Sequence, residues 1–152
     1  MLDHVVYNGV TMPIYQGTED KRHQLVSTWH VEVEVDGVTY IVEVYAGFIF
    51  DGASVPRWLW WLCGDPMEVP RVAAALAHDF LYRTHLCKRK VADKIFRAIC
   101  VKVGISKARS GIEYSMVRTF GGSAWSAYNE FQIELARTEG KLYTNKGKEN
   151  KQ

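Results

Sequence analysis

Three observations predict an α+β fold, with an N-terminal antiparallel β-hairpin sheet packed on a C-terminal bundle of about four helices. A period-two apolar run extends from Leu25 to Val35. Two turn dipeptides, Asn8-Gly9 and Asp36-Gly37, punctuate the N-terminal part. After Pro70 the apolar residues recur at helical spacing instead. Strands first and helices later is the order of α+β proteins rather than of alternating α/β folds.

The elements follow in order. Asn8-Gly9 reads as a tight turn between two short strands. Residues 16–24 are polar and read as a loop. In the hairpin over 25–50, Leu25, Trp29, Val31, Val33 and Val35 alternate with Thr28, His30, Glu32 and Glu34, so one face is buried. With Asp36-Gly37 as a two-residue turn, Val35 pairs with Val38, Val33 with Tyr40, Val31 with Val42 and Trp29 with Val44. Every pair is apolar, so turn and pattern agree on register. The returning strand is expected over 38–50. A loop from Asp51 to Arg57 leads to Trp58, Trp60 and Trp61, and Gly64-Asp65-Pro66 turns the chain.

Pro70 suits the first turn of a helix, where its missing N–H costs nothing. Helices are predicted over 71–83, 89–103, 107–119 and 124–137. Ala92, Ile95, Phe96, Ile99 and Val103 form an apolar face on the second. Gly104 caps that helix, and Gly121-Gly122 separates the last two. Residues 1–138 are expected to form one domain and 139–152 a polar, flexible tail.

Composition agrees. The chain has 152 residues, 47% hydrophobic and 24% charged, enough for a single domain with its own core. A net charge of +2 gives no reason to expect nucleic acid as a partner. Lys146, Lys148 and Lys151 are interleaved with polar residues and read as a solvated tail. Cys63, Cys87 and Cys100 are odd in number and lack paired spacing, as reduced thiols made in a cytoplasm would be. No leader pattern opens the chain, and no run of about 18 apolar residues suits a membrane span.

The residues that could do chemistry are His78, Asp79 and Asp93. His78 and Asp79 interrupt an alanine-rich helix, and Asp93 lies on the next. A short connection makes consecutive helices antiparallel neighbours, and His78 and Asp93 stand at similar heights above the turn. One imidazole nitrogen can then meet the Asp93 carboxylate while the other takes a proton from water. Tyr82 lies one turn beyond His78 on the same face. Asp79 is rotated about 100° and faces the preceding loop, with room for a cation there. That loop carries Asp51, Ser54 and Arg57, and is expected to bring Asp51 or Ser54 near the His-Asp helix. The competing interpretation is a polar bond that only locks two helices together. Zinc binding by His78, Asp79 and His85 lacks the spacing of a standard site.

The pattern Ala-Ala-Ala-Leu-Ala-His78-Asp79-Phe-Leu-Tyr82, followed by Ala92-Asp93-Lys-Ile-Phe96, resembles the paired-helix active site of phospholipase A2 enzymes, most nearly the cysteine-poor kind of parvoviral capsids. The resemblance implies His78 as general base, Asp93 as its orienting group, Tyr82 as support and Asp79 as a calcium ligand. Asp51, on the loop before the helix, is a second candidate metal residue. The calcium loop of that family would fall on Cys63-Gly64-Asp65-Pro66. The 25–50 hairpin has no counterpart in the small phospholipase core.

A longer stretch, Gly47-Phe48-Ile49-Phe50-Asp51-Gly52-Ala53-Ser54-Val55-Pro56-Arg57 with the His-Asp helix and Ala92-Asp93, is similar to a family of uncharacterised phage and prophage proteins. That similarity implies a phage or prophage origin. Together the likenesses imply a hydrolase of lipid or another ester, made in the host cytoplasm, with Ca2+ as the expected cation. The alternative is a non-enzymatic virion- or tail-associated protein. Its partners are then phage structural proteins rather than a lipid surface. Trp58, Trp60 and Trp61 are packing anchors in one case and an interface patch in the other.

Overall fold

The computed structural model describes residues 5–51, 65 and 67–145. It has the α+β arrangement, with three small antiparallel sheets and the helices after them. Strands β1 (Val6–Tyr7) and β2 (Val10–Thr11) form the first hairpin. Its turn residues Asn8 and Gly9 both have positive φ, 49° and 82°, as a tight two-residue turn requires.

Strands β3 (Tyr15–Gly17), β4 (His23–Leu25) and β7 (Ile49–Phe50) form the second sheet. The expected loop over 16–24 is therefore a hairpin, and only its tip, Thr18–Arg22, is irregular. Thr18 and Asp20 bond across that tip, and Arg22 donates to Asp20 at 2.7 Å.

Strands β5 (Trp29–Val35) and β6 (Val38–Val44) pair in the register read from the sequence. Along β5, buried and exposed residues alternate without exception. The expected returning strand over 38–50 is broken, however. It ends at Val44, turns through Gly47 at φ +99°, and resumes as β7 in a different sheet. Leu25 likewise belongs to β4 and not to β5.

Helix α1 (Val72–Thr84) is the centre of the molecule, and every residue on it except Arg83 is buried. It packs against α2 (Arg89–Lys102), α5 (Glu130–Ala136), β6 and β7. A helix enclosed this way needs small side chains for close approach, which the run Ala73-Ala74-Ala75 supplies. Pro70 precedes the helix and is not its first residue, because Arg71 stands between as the N-cap. Helix α2 also packs on β5 and on α3 (Lys107–Phe120). Gly104, at φ +105°, follows the end of α2 in the left-handed region that favours glycine.

The predicted helix over 124–137 is two pieces, α4 (Gly122–Trp125) and α5. A capping box separates them. Asn129 accepts from the Gln132 N–H at 2.9 Å, and the Gln132 side chain accepts from the Asn129 N–H at 3.0 Å. The expected tail from 139 is corrected as well. After a 3-10 turn over Arg137–Glu139, β8 (Gly140–Thr144) pairs with β6 and completes the third sheet in the order β5-β6-β8. A Cβ on Gly140 would stand 2.2 Å from the Glu43 carbonyl and 2.6 Å from Phe80, so glycine lets β8 close on α1.

Candidate active site

The chain doubles back after α1 in four residues, His85–Lys88, which sets α2 directly against it. His78 and Asp93 meet across this pair, with Nε2 2.7 Å from Oδ1 and neither side chain exposed. Tyr82 donates its hydroxyl to the same Oδ1 at 2.6 Å. Its ring lies 4.1 Å from the imidazole, and Phe96 closes another side at 5.1 Å.

Two residues absent from the sequence-based set complete the cluster. Arg118, near the end of α3, donates to Asp93 Oδ2 at 2.7 Å. Arg89 is 3.9 Å from the same oxygen, donates to the Tyr82 hydroxyl at 3.2 Å and bonds the Val117 and Arg118 carbonyls at 2.8 Å each. Arg89 therefore caps the end of α3 and steadies Tyr82. Its position four residues before Asp93 was a readable signal. Arg118 had none, since it reaches Asp93 only through the packing of a third helix.

Burial pushes the Asp93 carboxyl up. The bonds and charge from His78, then the bonds from Tyr82 and Arg118, outweigh it and hold the group below its ordinary range. Asp93 is thus a carboxylate at neutral pH, and Nε2–H donates to it. In the neutral ring the lone pair then sits on Nδ1. Burial and the bond to Asp93 raise the Tyr82 phenol well above its ordinary value, so it stays a donor.

Asp79 and Asp51 come together, as expected. They line one cavity of about 180 Å³ with Tyr82, Arg83, Ala124, Ala127 and Tyr128. Tyr82 joins this cavity to the buried cluster, because it lines the first and bonds Asp93 in the second. Ser54, Arg57, the 52–57 part of the loop, the three clustered tryptophans Trp58, Trp60 and Trp61, and Cys63 lie outside the described residues, as does 146–152.

A calcium ion takes six to eight oxygen ligands. The described residues bring two carboxylates to the cavity and set the Arg83 cation in the same wall. Among the described residues, no group of three His, Cys, Asp or Glu side chains is disposed to hold a metal. The described residues alone therefore bring fewer ligands than a calcium ion takes. Burial and then the Asp93 charge push the Cys87 thiol up to about 12, and burial raises Cys100 further, so neither is a thiolate nucleophile. Among the described residues, no helix is long and apolar enough to cross a membrane.

No curated protein and no solved structure matches the chain. A family model described as a protein of unknown function (DUF1353) matches residues 24–117. That span contains Asp51, His78, Asp79, Tyr82 and Asp93 and stops one residue short of Arg118. Because it covers more than half of the sequence, the chain belongs to the DUF1353 family.

Proposed function

We propose that this protein is a phage-encoded hydrolase in which His78, oriented by Asp93, activates water against a lipid or another ester. The observation that carries the reading is the convergence on Tyr82. Tyr82 bonds the Asp93 that orients His78, and it also lines the cavity of Asp51 and Asp79. In the reaction, the His78 imidazole takes a proton from water as the water oxygen attacks the ester carbonyl. The tetrahedral intermediate expels the alcohol, which leaves with the proton held on His78, and the acid remains. Asp93 faces the imidazolium during that interval. The similarity of the 47–57 run to phage and prophage proteins supports the origin.

A second reading has its own observation. His78 and Asp93 are both fully buried, and Arg118 already balances the Asp93 charge. This suits a polar lock between three helices in a virion- or tail-associated protein. The test is His78→Asn, which keeps much of the shape and removes the base. A positioned base contributes about 10²–10⁴-fold. The hydrolase reading expects a folded variant whose rate on phospholipid and short-chain esters, with and without calcium, falls by that factor. A wild type inactive on all of them, with a variant that melts markedly lower, selects the lock.

A further inference from the structure

Tyr82 gives its hydroxyl to the Asp93 oxygen that also faces His78, so the place of the Tyr82 ring helps to set where that oxygen points. Helix α4, the four residues Gly122–Trp125, closes on this ring from both of its ends. At the start, Gly121 has φ −78° and ψ −4°, a right-handed conformation open to any residue, so the backbone does not call for glycine there. Space is the reason instead. A Cβ on Gly121 would stand 2.8 Å from the Tyr82 hydroxyl, 3.2 Å from Arg89 Nη2 and 2.5 Å from the Val117 carbonyl. At the other end, the Trp125 ring meets the Tyr82 ring edge-on at 5.2 Å. Trp125 is itself pinned by His85, whose ring stacks on it at 3.7 Å and 5° and whose Nε2–H donates to the Trp125 carbonyl at 3.0 Å. Between these ends, Ala124 lines the cavity of Asp51 and Asp79 together with Tyr82.

We infer that α4 is the positioning element of the site, with Gly121 and Trp125 as positioning residues that hold the Tyr82 hydroxyl on Asp93 and so keep the carboxylate aimed at His78. Both act through Tyr82. Its hydroxyl end is confined by Gly121 and by Arg89, which donates to it at 3.2 Å. Its ring is confined by Trp125 and by the His78 imidazole at 4.1 Å. A side chain packed on this many sides is held in one rotamer. Removing the Trp125 ring frees the Tyr82 ring, and a Cβ at position 121 displaces the hydroxyl. Either change takes a donor from Oδ1 of Asp93 and loosens the oxygen that His78 faces. The same element walls the cavity, so a ligand seated there touches α4 and Tyr82 together. The consequence for rate rests on the hydrolase reading, whereas the hold on Tyr82 rests on geometry alone.

The test uses the full chain with Trp125→Leu, Trp125→Phe and Gly121→Ala, each checked for folding by its melting curve. Trp125→Leu carries the test if Gly121→Ala fails to fold. The first readout is the proton resonance of His78 Nε2–H, which reports its bond to Asp93. It should move in Trp125→Leu and Gly121→Ala and stay in place in Trp125→Phe, which keeps an aromatic edge on Tyr82. In a Tyr82→Phe background the two disruptive changes should add no further shift, because they act through the hydroxyl. A ring-current effect of Trp125 alone would appear equally in both backgrounds. The second readout is hydrolysis of a short-chain ester, where kcat should fall by about 10²-fold with KM little changed. An unmoved resonance in folded variants, or an equal further shift in the Tyr82→Phe background, would overturn the inference. A wild type inactive on esters but with the expected resonance pattern would strike the hydrolase reading and support the positioning.

Discussion

Replacing Asp93 by Asn tests the centre of the molecule most severely. The asparagine carbonyl can still accept from His78 and Tyr82, but its amide then faces the Arg118 guanidinium, donor against donor. Breaking a buried charge pair by removing one partner costs about 3–5 kcal/mol. The Arg118 side chain is 32% exposed, so water recovers part of that, and about 2–4 kcal/mol remains. For a protein of this size that lowers the melting temperature by about 5–15 °C. The sign with pH follows from the depressed Asp93 value. Its contribution is fully present above the unfolded value, about 3.9. It fades as pH falls through the lower folded value. Urea titrations at several pH values should therefore show wild type ahead by a constant margin from about pH 5 to 8. The margin should shrink in acid. An equally stable variant at neutral pH, or a margin unchanged in strong acid, would refute the reasoning.

Other outcomes are expected elsewhere. Gly140→Ala forces a Cβ into Phe80 and the Glu43 carbonyl, and should cost about 1–3 kcal/mol and speed amide exchange at Leu142 and Tyr143. Arg71 and Glu113 form a buried ion pair at 2.7 Å through Glu113 Oε1, and among the described residues Glu113 Oε2 and Arg71 Nε have no further hydrogen-bond partner. Glu113→Leu alone should cost about 3–5 kcal/mol, while the double change Arg71→Met and Glu113→Leu should be neutral or stabilising in urea denaturation. Burial holds the Glu113 carboxyl up against Arg71. Its contribution is thus full below about pH 4.3 and lost as pH rises through the folded value, a slope the double variant should lack.

Local chemistry explains which parts of this fold could be read in advance. The β5–β6 register followed from a turn that admits one pairing and a pattern that rewards the same one. The His78–Asp93 contact followed from a four-residue link between two helices. Both depend on residues near in sequence. β8 was missed because Gly-Lys-Leu-Tyr-Thr is short and largely exposed, and it becomes a strand only through β6, about a hundred residues away. Arg118 was missed for the same reason, since its partner lies 25 residues back on another helix. The break at 126–129 and the end of β6 were different. Asn129 with Gln132 spells a capping box, and Gly47 marks a turn, and the longer apolar periodicities were given precedence over both.

The oriented base makes the sharpest demand on a side chain with no exposed surface, because water must reach His78 in the folded protein. Acylation of imidazoles by diethyl pyrocarbonate, followed by mass mapping of the peptide that holds His78, measures that access directly. The account predicts that His78 is modified under native conditions, more slowly than the exposed His30, at a rate insensitive to low urea, as a local opening is. Modification of His78 only at the rate of global unfolding, rising with urea, would contradict it and leave the buried pair a lock.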